Sequence, residues 1–277
     1  MTPPSPSAIA ARRSAFRELH AAGCFVIPNP WDAGSARYLA SLGFKALAST
    51  SSGFAWSHAR ADGAMARDAV LAHLREIVSA TDLPVNADFE SGYGATPKDV
   101  AESVRRAVDT GIAGLSIEDS TGDPARPIHD LPEALARLRA ARSAIAEAGS
   151  DTLLVGRAEN YLHGRPDLED TIARLRAYAE AGADCLYAPG IQSREDIAAV
   201  VAAVAPKPVN LLIGSTSAFT LADVAALGVR RVSVGGALAR SAWGGFMRAA
   251  RSIAEQGSFD GLADAASNAE LNALYRD

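Results

Sequence analysis

The chain of 277 residues lacks several features that mark particular classes of protein. Its two cysteines, Cys24 and Cys185, both lie in apolar runs, which argues against a disulfide scaffold and favours a cytoplasmic location. No apolar run approaches the ~18 residues that span a bilayer, so no membrane association is expected. A net charge of -5 gives no basis for nucleic-acid binding, because polyanion binders present a basic surface.

Signals for a leader peptide or a histidine metal site are also missing. Residues 1–7 lack the charged-then-apolar order of a signal peptide, and residues 1–8 are expected to form a disordered, proline-rich tail. The histidines are scattered without metal-ligand spacing, and solvent exposure is the expectation for His129. The five positions are His20, His58, His73, His129 and His163.

Strand-like and helix-like runs alternate along the whole chain. The eight strand candidates are residues 24–28, 46–49, 84–88, 114–118, 153–157, 184–187, 208–212 and 231–234. Thr96 and Pro97 open a helix between two of them, as N-cap and first helical residue. Eight such units without a linker predict an α/β fold, a single (β/α)8 TIM-type barrel over residues 1–277. A doubly wound sheet is the alternative, because periodicity does not reveal closure.

The C-terminal part of the chain carries more helix than the last unit of a barrel needs. Residues 240–277 are predicted to form a helical extension. It either covers the bottom of the barrel or packs on a neighbouring subunit, and a homodimer or homotetramer is expected.

Acidic residues follow two neighbouring predicted strands. Asp88 and Glu90 come after the third strand, and Glu118 and Asp119 come after the fourth. Because the chemistry of such barrels sits on the loops after the strands, we expect these side chains to converge. A cluster of buried carboxylates needs a counter-ion, and oxygen ligands favour a hard cation such as Mg²⁺ or Mn²⁺. Arg157 ends the fifth strand, where it would clamp a small carboxylate.

Each of these features has a simpler structural interpretation. Asp88 is equally the type of residue that caps a helix or pairs with an arginine. Glu118 and Asp119 are candidates for an ion pair with Arg157. The Gly235-Gly236 pair suits a phosphate site, but glycine also simply lets a strand turn into a helix.

Seven short segments form a definite order along the chain. They are 31–36 (Trp-Asp-Ala-Gly-Ser-Ala), 51–53 (Ser-Ser-Gly), Asp62, 88–94 (Asp-Phe-Glu-Ser-Gly-Tyr-Gly), 117–119 (Ile-Glu-Asp), 156–159 (Gly-Arg-Ala-Glu) and 208–210 (Pro-Val-Asn). In this order they resemble motifs of the isocitrate lyase and phosphoenolpyruvate mutase superfamily. The resemblance covers roughly residues 25–240, with Glu90 in place of the second aspartate of the metal motif.

The resemblance implies a barrel whose C-terminal helix is exchanged between subunits. It implies a Mg²⁺ or Mn²⁺ ion held directly by Asp88 and through water by Glu90 and Glu118, with Asp62 as a further candidate. The segment 117–119 resembles the motif that completes the metal shell. The implied substrate-binding residues are Trp31, Ser51, Ser52, Gly53, Asp88, Arg157 and Asn210. The implied catalytic residues are Asp62, Tyr93 and Arg157. The implied activity is that of a magnesium-dependent carbon–carbon lyase, which cleaves or decarboxylates a small 2-oxo or 2-hydroxy carboxylate through a metal-stabilised enolate.

The chain departs from the superfamily at the lid over the site. The lyases carry Lys-Lys-Cys-Gly-His there, with the cysteine as general acid, whereas residues 120–129 contain no cysteine. The glutamate after the sixth strand is replaced by Ala188-Pro189-Gly190. The residues considered as substitutes for the acid are Tyr93, Arg126, His129 and Tyr187. A phosphoenolpyruvate- or phosphonopyruvate-type mutase or hydrolase and a non-catalytic oxo-acid-binding barrel are the alternative functions.

Overall fold

Eight parallel strands form the centre of the molecule in a computed structural model that describes residues 2–276. The strands are β1 (Phe25–Ile27), β2 (Leu47–Ala48), β3 (Val85–Asp88), β4 (Gly114–Glu118), β5 (Leu153–Arg157), β6 (Cys185–Tyr187), β7 (Val209–Leu212) and β8 (Arg231–Ser233). Each lies within the range predicted for it from the sequence. The strands are short, between two and five residues each.

Helices connect the strands and form an outer layer. They are α1 (Pro6–Ala21), α2 (Ala33–Ser41), α3 (Ser51–Ser57), α4 (Arg67–Ala80), α5 (Pro97–Val108), α6 (Leu131–Glu147), α7 (Leu168–Glu180), α8 (Arg194–Val204), α9 (Leu221–Ala226), α10 (Ala237–Gln256) and α11 (Asn268–Leu274), with a 3-10 helix at Asp260–Leu262. The predicted start of α5 is confirmed, because the Thr96 side chain accepts a hydrogen bond from Asp99 N.

The strand order shows a barrel and excludes a doubly wound sheet. Strands pair in parallel in the order β1-β8-β7-β6-β5-β4-β3-β2, so every neighbour in sequence is a neighbour in space except for the first pair. That last seam is joined by one backbone hydrogen bond, from Ala48 N to the oxygen of Pro28 at 3.0 Å. The nearly closed sheet with surrounding helices confirms the predicted (β/α)8 TIM-type fold.

Helix α1 covers the N-terminal end of the barrel. Its Phe16 is fully buried against Ile27, Ala113 and Leu153 of the barrel floor. Gly114 makes room for this contact, since a Cβ there would lie 2.7 Å from both Phe16 Cε1 and the side-chain oxygen of Asn86. The helix therefore closes the barrel from below and leaves the opposite end to the loops that carry chemistry.

The predicted disordered tail over residues 1–8 is too long. Ser5 is an N-cap whose hydroxyl oxygen accepts a hydrogen bond from Ala8 N, and α1 begins at Pro6. Proline is compatible with the first turn because its missing N–H would be unpaired there in any case. Residue 1 lies outside the described residues.

The C-terminal extension consists mainly of helices, the last of which ends at Leu274, and leaves apolar side chains exposed. In α10 the buried position is Ala239, and large apolar residues of α10, the 3-10 helix and α11 are 39–67% exposed. These residues, here called the C-terminal apolar face, are Trp243, Phe246, Met247, Ile253, Phe259, Leu262, Leu271 and Tyr275. Within residues 2–276, no helix is long and apolar enough to cross a membrane.

We predict that His73 makes the fold acid-sensitive. Its ring stacks on Phe54 at 3.9 Å, and burial lowers the pKa of His73 from 6.5 to about 4. Because folding lowers this pKa, the stabilisation is complete above pH 6.5 and is lost as the pH falls toward 4. A shift of this size corresponds to about 3 kcal/mol.

The measurement is urea denaturation of the wild type and His73→Phe at pH 7 and pH 4. Phenylalanine keeps the stacked ring but removes the titrating group, so the variant should lose less stability between the two pH values. Equal losses in both proteins would show that His73 does not contribute to acid sensitivity.

Candidate active site

The strand register brings polar residues side by side at the C-terminal ends of β3 to β6. Asp88 pairs with Ser116 across β3 and β4, and Glu118 pairs with Arg157 across β4 and β5. Arg157 in turn pairs with Tyr187 on β6. Because all strands are parallel, these residues share one end of the barrel, where the loops shape the site.

The Arg157 guanidinium lies at the centre of the acids. Its Nη1 atom is 3.1 Å from Asp88 Oδ1 and 3.2 Å from Glu118 Oε2. Its Nε donates to Glu159 Oε1, and its Cζ lies 5.1 Å from the centroid of the Tyr187 ring. Two of the simpler structural interpretations are therefore present: Asp88 pairs with an arginine, and Glu118 forms an ion pair with Arg157. One guanidinium connects three acids and an aromatic ring.

Glu90 lies on a tight loop after β3. Both Glu90 and Tyr93 have positive φ, at 45° and 50°, and Gly92 between them has a φ of 91°. Such backbone is unfavourable for residues other than glycine and is kept where the surroundings enforce it. Tyr93 donates a hydrogen bond to Glu90 Oε1 at 2.6 Å. Burial, opposed by this bond and reinforced by Asp88, raises the pKa of Glu90 to about 7.

Asp62 approaches the acids from the segment between α3 and α4. Its carboxylate hydrogen-bonds the side chain of Ser51 and lies near Asp88. Desolvation, and then the charge of Asp88, raise the pKa of Asp62 above its usual value. The segment thus adds a further carboxylate to a region that already has an excess of negative charge.

The charge balance of the site fits a bound cation. Five carboxylates surround Arg157, and burial raises the pKa of Glu118 well above its usual value although Arg157 opposes the shift. The carboxylates are those of Asp62, Asp88, Glu90, Glu118 and Glu159. Oxygen ligands of this charge suit Mg²⁺ or Mn²⁺. Within residues 2–276 no three acidic, histidine or cysteine side chains are arranged as a ready-made set of metal ligands.

A cavity of about 140 Å³ opens beside these groups and extends down the barrel axis. Six of the residues assigned to substrate, catalysis or metal line it: Ser51, Ser52, Asp62, Asp88, Arg157 and Asn210. The other five do not: Trp31, Gly53, Glu90, Tyr93 and Glu118. Glu118 still contacts Arg157, which lines the cavity. The volume suits a small organic acid rather than a nucleotide or a peptide.

The Ser-Ser-Gly segment offers fewer free amides than a carboxylate cradle requires. Ser51 N donates to Asp88 Oδ2 at 2.9 Å, and Gly53 N donates to the N-cap hydroxyl of Thr50. Gly53 has a packing role, since a Cβ there would lie 2.9 Å from Trp31 Cβ. Trp31 lines a separate apolar pocket with Trp243 and Phe246 of α10. A substrate carboxylate at this segment would therefore compete with Asp88 for Ser51 N.

Comparisons with known proteins agree with this arrangement. Residues 16–254 match the family model of phosphoenolpyruvate phosphomutase. The chain belongs to this family. A protein of Burkholderia cenocepacia J2315 with a crystal structure is 48% identical, with a TM-score of 0.94 and 98% of both chains covered.

Two further relatives have a named activity. The crystal structure of a 2,3-dimethylmalate lyase, a member of the PEP mutase/isocitrate lyase superfamily, is 28% identical with a TM-score of 0.85, and 98% of this chain and 95% of that one are covered. An oxaloacetate decarboxylase of Paraburkholderia xenovorans is 37% identical over 161 residues, which are 55% of this chain and 50% of the relative. The predicted superfamily and an enzyme of the lyase and mutase type are confirmed.

One residue of the phosphomutase-family motif 117–119 does not face the site. Asp119 is 2% exposed and accepts hydrogen bonds from Tyr178 Oη at 2.6 Å and Arg174 Nη1 at 3.0 Å. It also accepts one from Glu159 N at 2.8 Å. Of this motif, Asp119 therefore has a structural role, because its carboxylate holds α7 and the Glu159 backbone.

The segment at the lid position also differs from expectation. Residues 120–128 form a small hairpin with a bridge between Ser120 and Ile128. His129 is 7% exposed, so its expected solvent exposure is wrong. Its Nδ1 lies 3.1 Å from Glu133 Oε1 rather than at the cavity. Of the four side chains considered as the missing acid, Tyr187 lines the cavity.

Arg137 of α6 is a supporting residue that sequence patterns did not single out. It is 4% exposed and donates to the backbone oxygens of Gly94 at 2.8 Å and Ala95 at 2.9 Å. These bonds hold the loop that carries Glu90 and Tyr93. Sequence patterns contain no sign of this role, because an arginine in the middle of an amphipathic helix is usually a surface residue.

We predict that Asp119→Ala destabilises the fold by about 3–5 kcal/mol, because Arg174 would lose its buried carboxylate partner and keep only the more exposed Asp170. Urea denaturation measures this loss. The control is Asp170→Ala, which removes the other acid bound to Arg174, at a position where the side chain is 45% exposed. The control should cost about 1 kcal/mol or less. Equal stability of Asp119→Ala and wild type would contradict the structural role.

Proposed function

We propose that the protein is a magnesium-dependent carbon–carbon lyase that cleaves or decarboxylates a small 2-oxo or 2-hydroxy carboxylate. The observation that carries this is Arg157, whose Nη1 lies between Asp88 and Glu118 at the mouth of a 140 Å³ cavity. Excess carboxylate favours a cation there, and the guanidinium favours an organic carboxylate. Together they favour a chelating acid as substrate.

The residues divide into two functions. Asp88, Glu90 and Glu118 would hold the cation, and Arg157, Ser51 and Ser52 would orient the carboxylate of the substrate. Members of this superfamily generally depend on a divalent metal. A bound Mg²⁺ or Mn²⁺ supplies positive charge opposite the oxyanion that develops when a bond next to a carbonyl carbon breaks. Asp62 lies at the rim, within reach of the same site.

Tyr187 is the best candidate for the acid that the lid no longer supplies. It lines the cavity, stacks against Arg157 and hydrogen-bonds Ser233. Burial, opposed by Arg157, raises the pKa of Tyr187 to about 12, so the phenol is protonated at neutral pH. A protonated phenol in this position can donate its proton to a carbanion formed in the cavity.

The named relatives support a small acid as substrate. Oxaloacetate and 2,3-dimethylmalate are a 2-oxo and a 2-hydroxy dicarboxylate, and both are cleaved at a bond that leaves an enolate-like fragment. A mutase or hydrolase acting on a phosphonopyruvate-type substrate is the second candidate, because the matching family model is that of a phosphomutase. It requires that phosphorus-containing analogues bind better than plain oxo acids.

The test is incubation of the purified protein with Mg²⁺ and oxaloacetate, methylisocitrate, 2,3-dimethylmalate or phosphonopyruvate, with products followed by NMR. We expect turnover of a carbon acid, and loss of at least 100-fold in rate in Asp88→Ala, as expected when a metal contribution of several kcal/mol is removed. Circular dichroism should show an unchanged fold in the variant.

The matched control is Asp82→Ala, which removes a fully exposed acid remote from the cavity and should leave the rate unchanged. Unchanged turnover in Asp88→Ala would contradict the metal assignment. Turnover of phosphonopyruvate alone would favour the second candidate. Oxo-acid binding without any product would favour a non-catalytic barrel.

We further propose that the chain forms a cytoplasmic homodimer or homotetramer through the C-terminal apolar face. A helix with Trp243, Phe246 and Met247 at 39%, 62% and 44% exposure leaves a contiguous patch that monomers rarely present. Trp31, on the loop between β1 and α2, and Ser57, at the end of α3, also line this patch. Assembly would therefore cover a surface that adjoins the active site. Both cysteines are free thiols, which is compatible with a reducing compartment.

We predict that Phe246→Glu dissociates the oligomer, because it places a charge in the centre of the buried patch. Light scattering coupled to size-exclusion chromatography measures the mass. The control is Leu221→Glu, at a 44% exposed apolar position of α9 outside the C-terminal apolar face. A monomeric wild type would contradict the proposed assembly.

A further inference from the structure

Arg231 is a buried arginine inside the barrel with neutral partners. It begins β8 and is 3% exposed. Its Nε donates to Asn210 Oδ1 at 2.7 Å, and Nη1 lies 3.4 Å from both Asn86 Oδ1 and His20 Nε2. His20 does not supply the opposite charge, since burial and the charge of Arg231 lower the pKa of His20 to about 3, which keeps the ring neutral.

The other buried arginines all have a carboxylate. Arg137 lies 3.3 Å from Glu133, and Arg174 lies 3.0 Å from Asp119. Arg157, which is 16% exposed, contacts three acids. Among residues 2–276 Arg231 has no acid within 4.0 Å. A buried cation without a counter-ion is unfavourable, so the position calls for an anion that the chain itself does not provide.

Space for such an anion exists next to the guanidinium. Arg231 lines the same 140 Å³ cavity whose mouth carries Asp88 and Arg157. The surrounding wall is polar, with the hydroxyls of Ser116 and Ser233. Barrel interiors of this class are normally filled with branched apolar side chains. Helix α1 closes the floor below, so an anion would enter from the mouth.

We propose that Arg231 and the adjacent hydroxyls form a binding site for a small anion, either a halide or a single carboxylate group, at the floor of the central cavity. The acids lie at the other end of the same cavity. The anion site stands apart from the reaction proposed above, because it rests on charge balance and space alone. An anion there would complete the hydrogen-bonding capacity of the guanidinium and stabilise the barrel.

The first experiment measures the thermal unfolding midpoint in sodium chloride and in sodium gluconate at equal ionic strength. Gluconate is far larger than the halide or single carboxylate group proposed for the floor of the cavity. We expect the midpoint of the wild type to be about 2–4 °C higher in chloride. Arg231→Met should lose this difference, and Arg139→Met, an exposed arginine of α6, should keep it. Equal midpoints of the wild type in both salts would overturn the proposal.

The second experiment keeps the proposal testable if Arg231→Met does not fold. Crystals of the wild type soaked in sodium bromide should show an anomalous peak within about 3.5 Å of Arg231 Nη1 or Nη2. A flat anomalous map around Arg231 would overturn the proposal. Calorimetric titration of oxalate, with and without chloride, then identifies the source. Weaker oxalate binding in chloride means that the site takes a carboxylate of the bound acid, and unchanged binding means that it takes a free ion.

Discussion

The contact between Arg157 and the carboxylates of Asp88 and Glu118 is the interaction on which the site depends. It joins the ends of three consecutive strands through atoms only 3.1 and 3.2 Å apart. Without the guanidinium, the acids of β3 and β4 would repel each other in a poorly solvated place. With it, the carboxylates still outnumber the arginine, and burial, reinforced by neighbouring carboxylates, raises the pKa values of Asp62, Glu90 and Glu118. The site is therefore stable enough to form and still attractive to a cation.

A second group of buried charged residues, behind the strand ends, holds the residues around Arg157 in place. Asp119 points away from the cavity, binds Arg174 and Tyr178, and accepts a hydrogen bond from Glu159 N. Glu159 in turn bonds Arg157. The consecutive residues Glu118 and Asp119 thus face opposite sides of the barrel wall, as strand alternation requires. Glu118 contacts Arg157 directly, and Asp119 positions Glu159, which also contacts Arg157. Buried ion pairs of this kind hold a geometry rather than add much net stability.

The sequence predicted the architecture well and the contacts of individual side chains only in part. Repeating strands and helices gave the barrel, because alternation and capping are local signals. The convergence of Asp88 and Glu118 on Arg157 followed from the rule that parallel strands end together. What the sequence did not reveal depends on long-range partners: the burial of His129, the direction of Asp119, the packing of Trp31 against α10 and the hydrogen bonds from Arg137 to the loop after β3. The spacing of residues along the chain shows which face of a helix or strand they share, but not which distant residue packs against that face.

Apolar and polar side chains occupy different parts of the barrel. The apolar core lies between the sheet and the helices, where Leu115, Ile117 and Leu138 are almost fully buried. The axis is polar instead, with Asn86, Asn210 and Arg231 in hydrogen-bonded contact. Such an axis gives up apolar burial that branched side chains would supply. The apolar layer between the sheet and the helices remains complete around it. The axis is then free to carry opposite charge at its two ends, acids at the mouth and a cation at the floor.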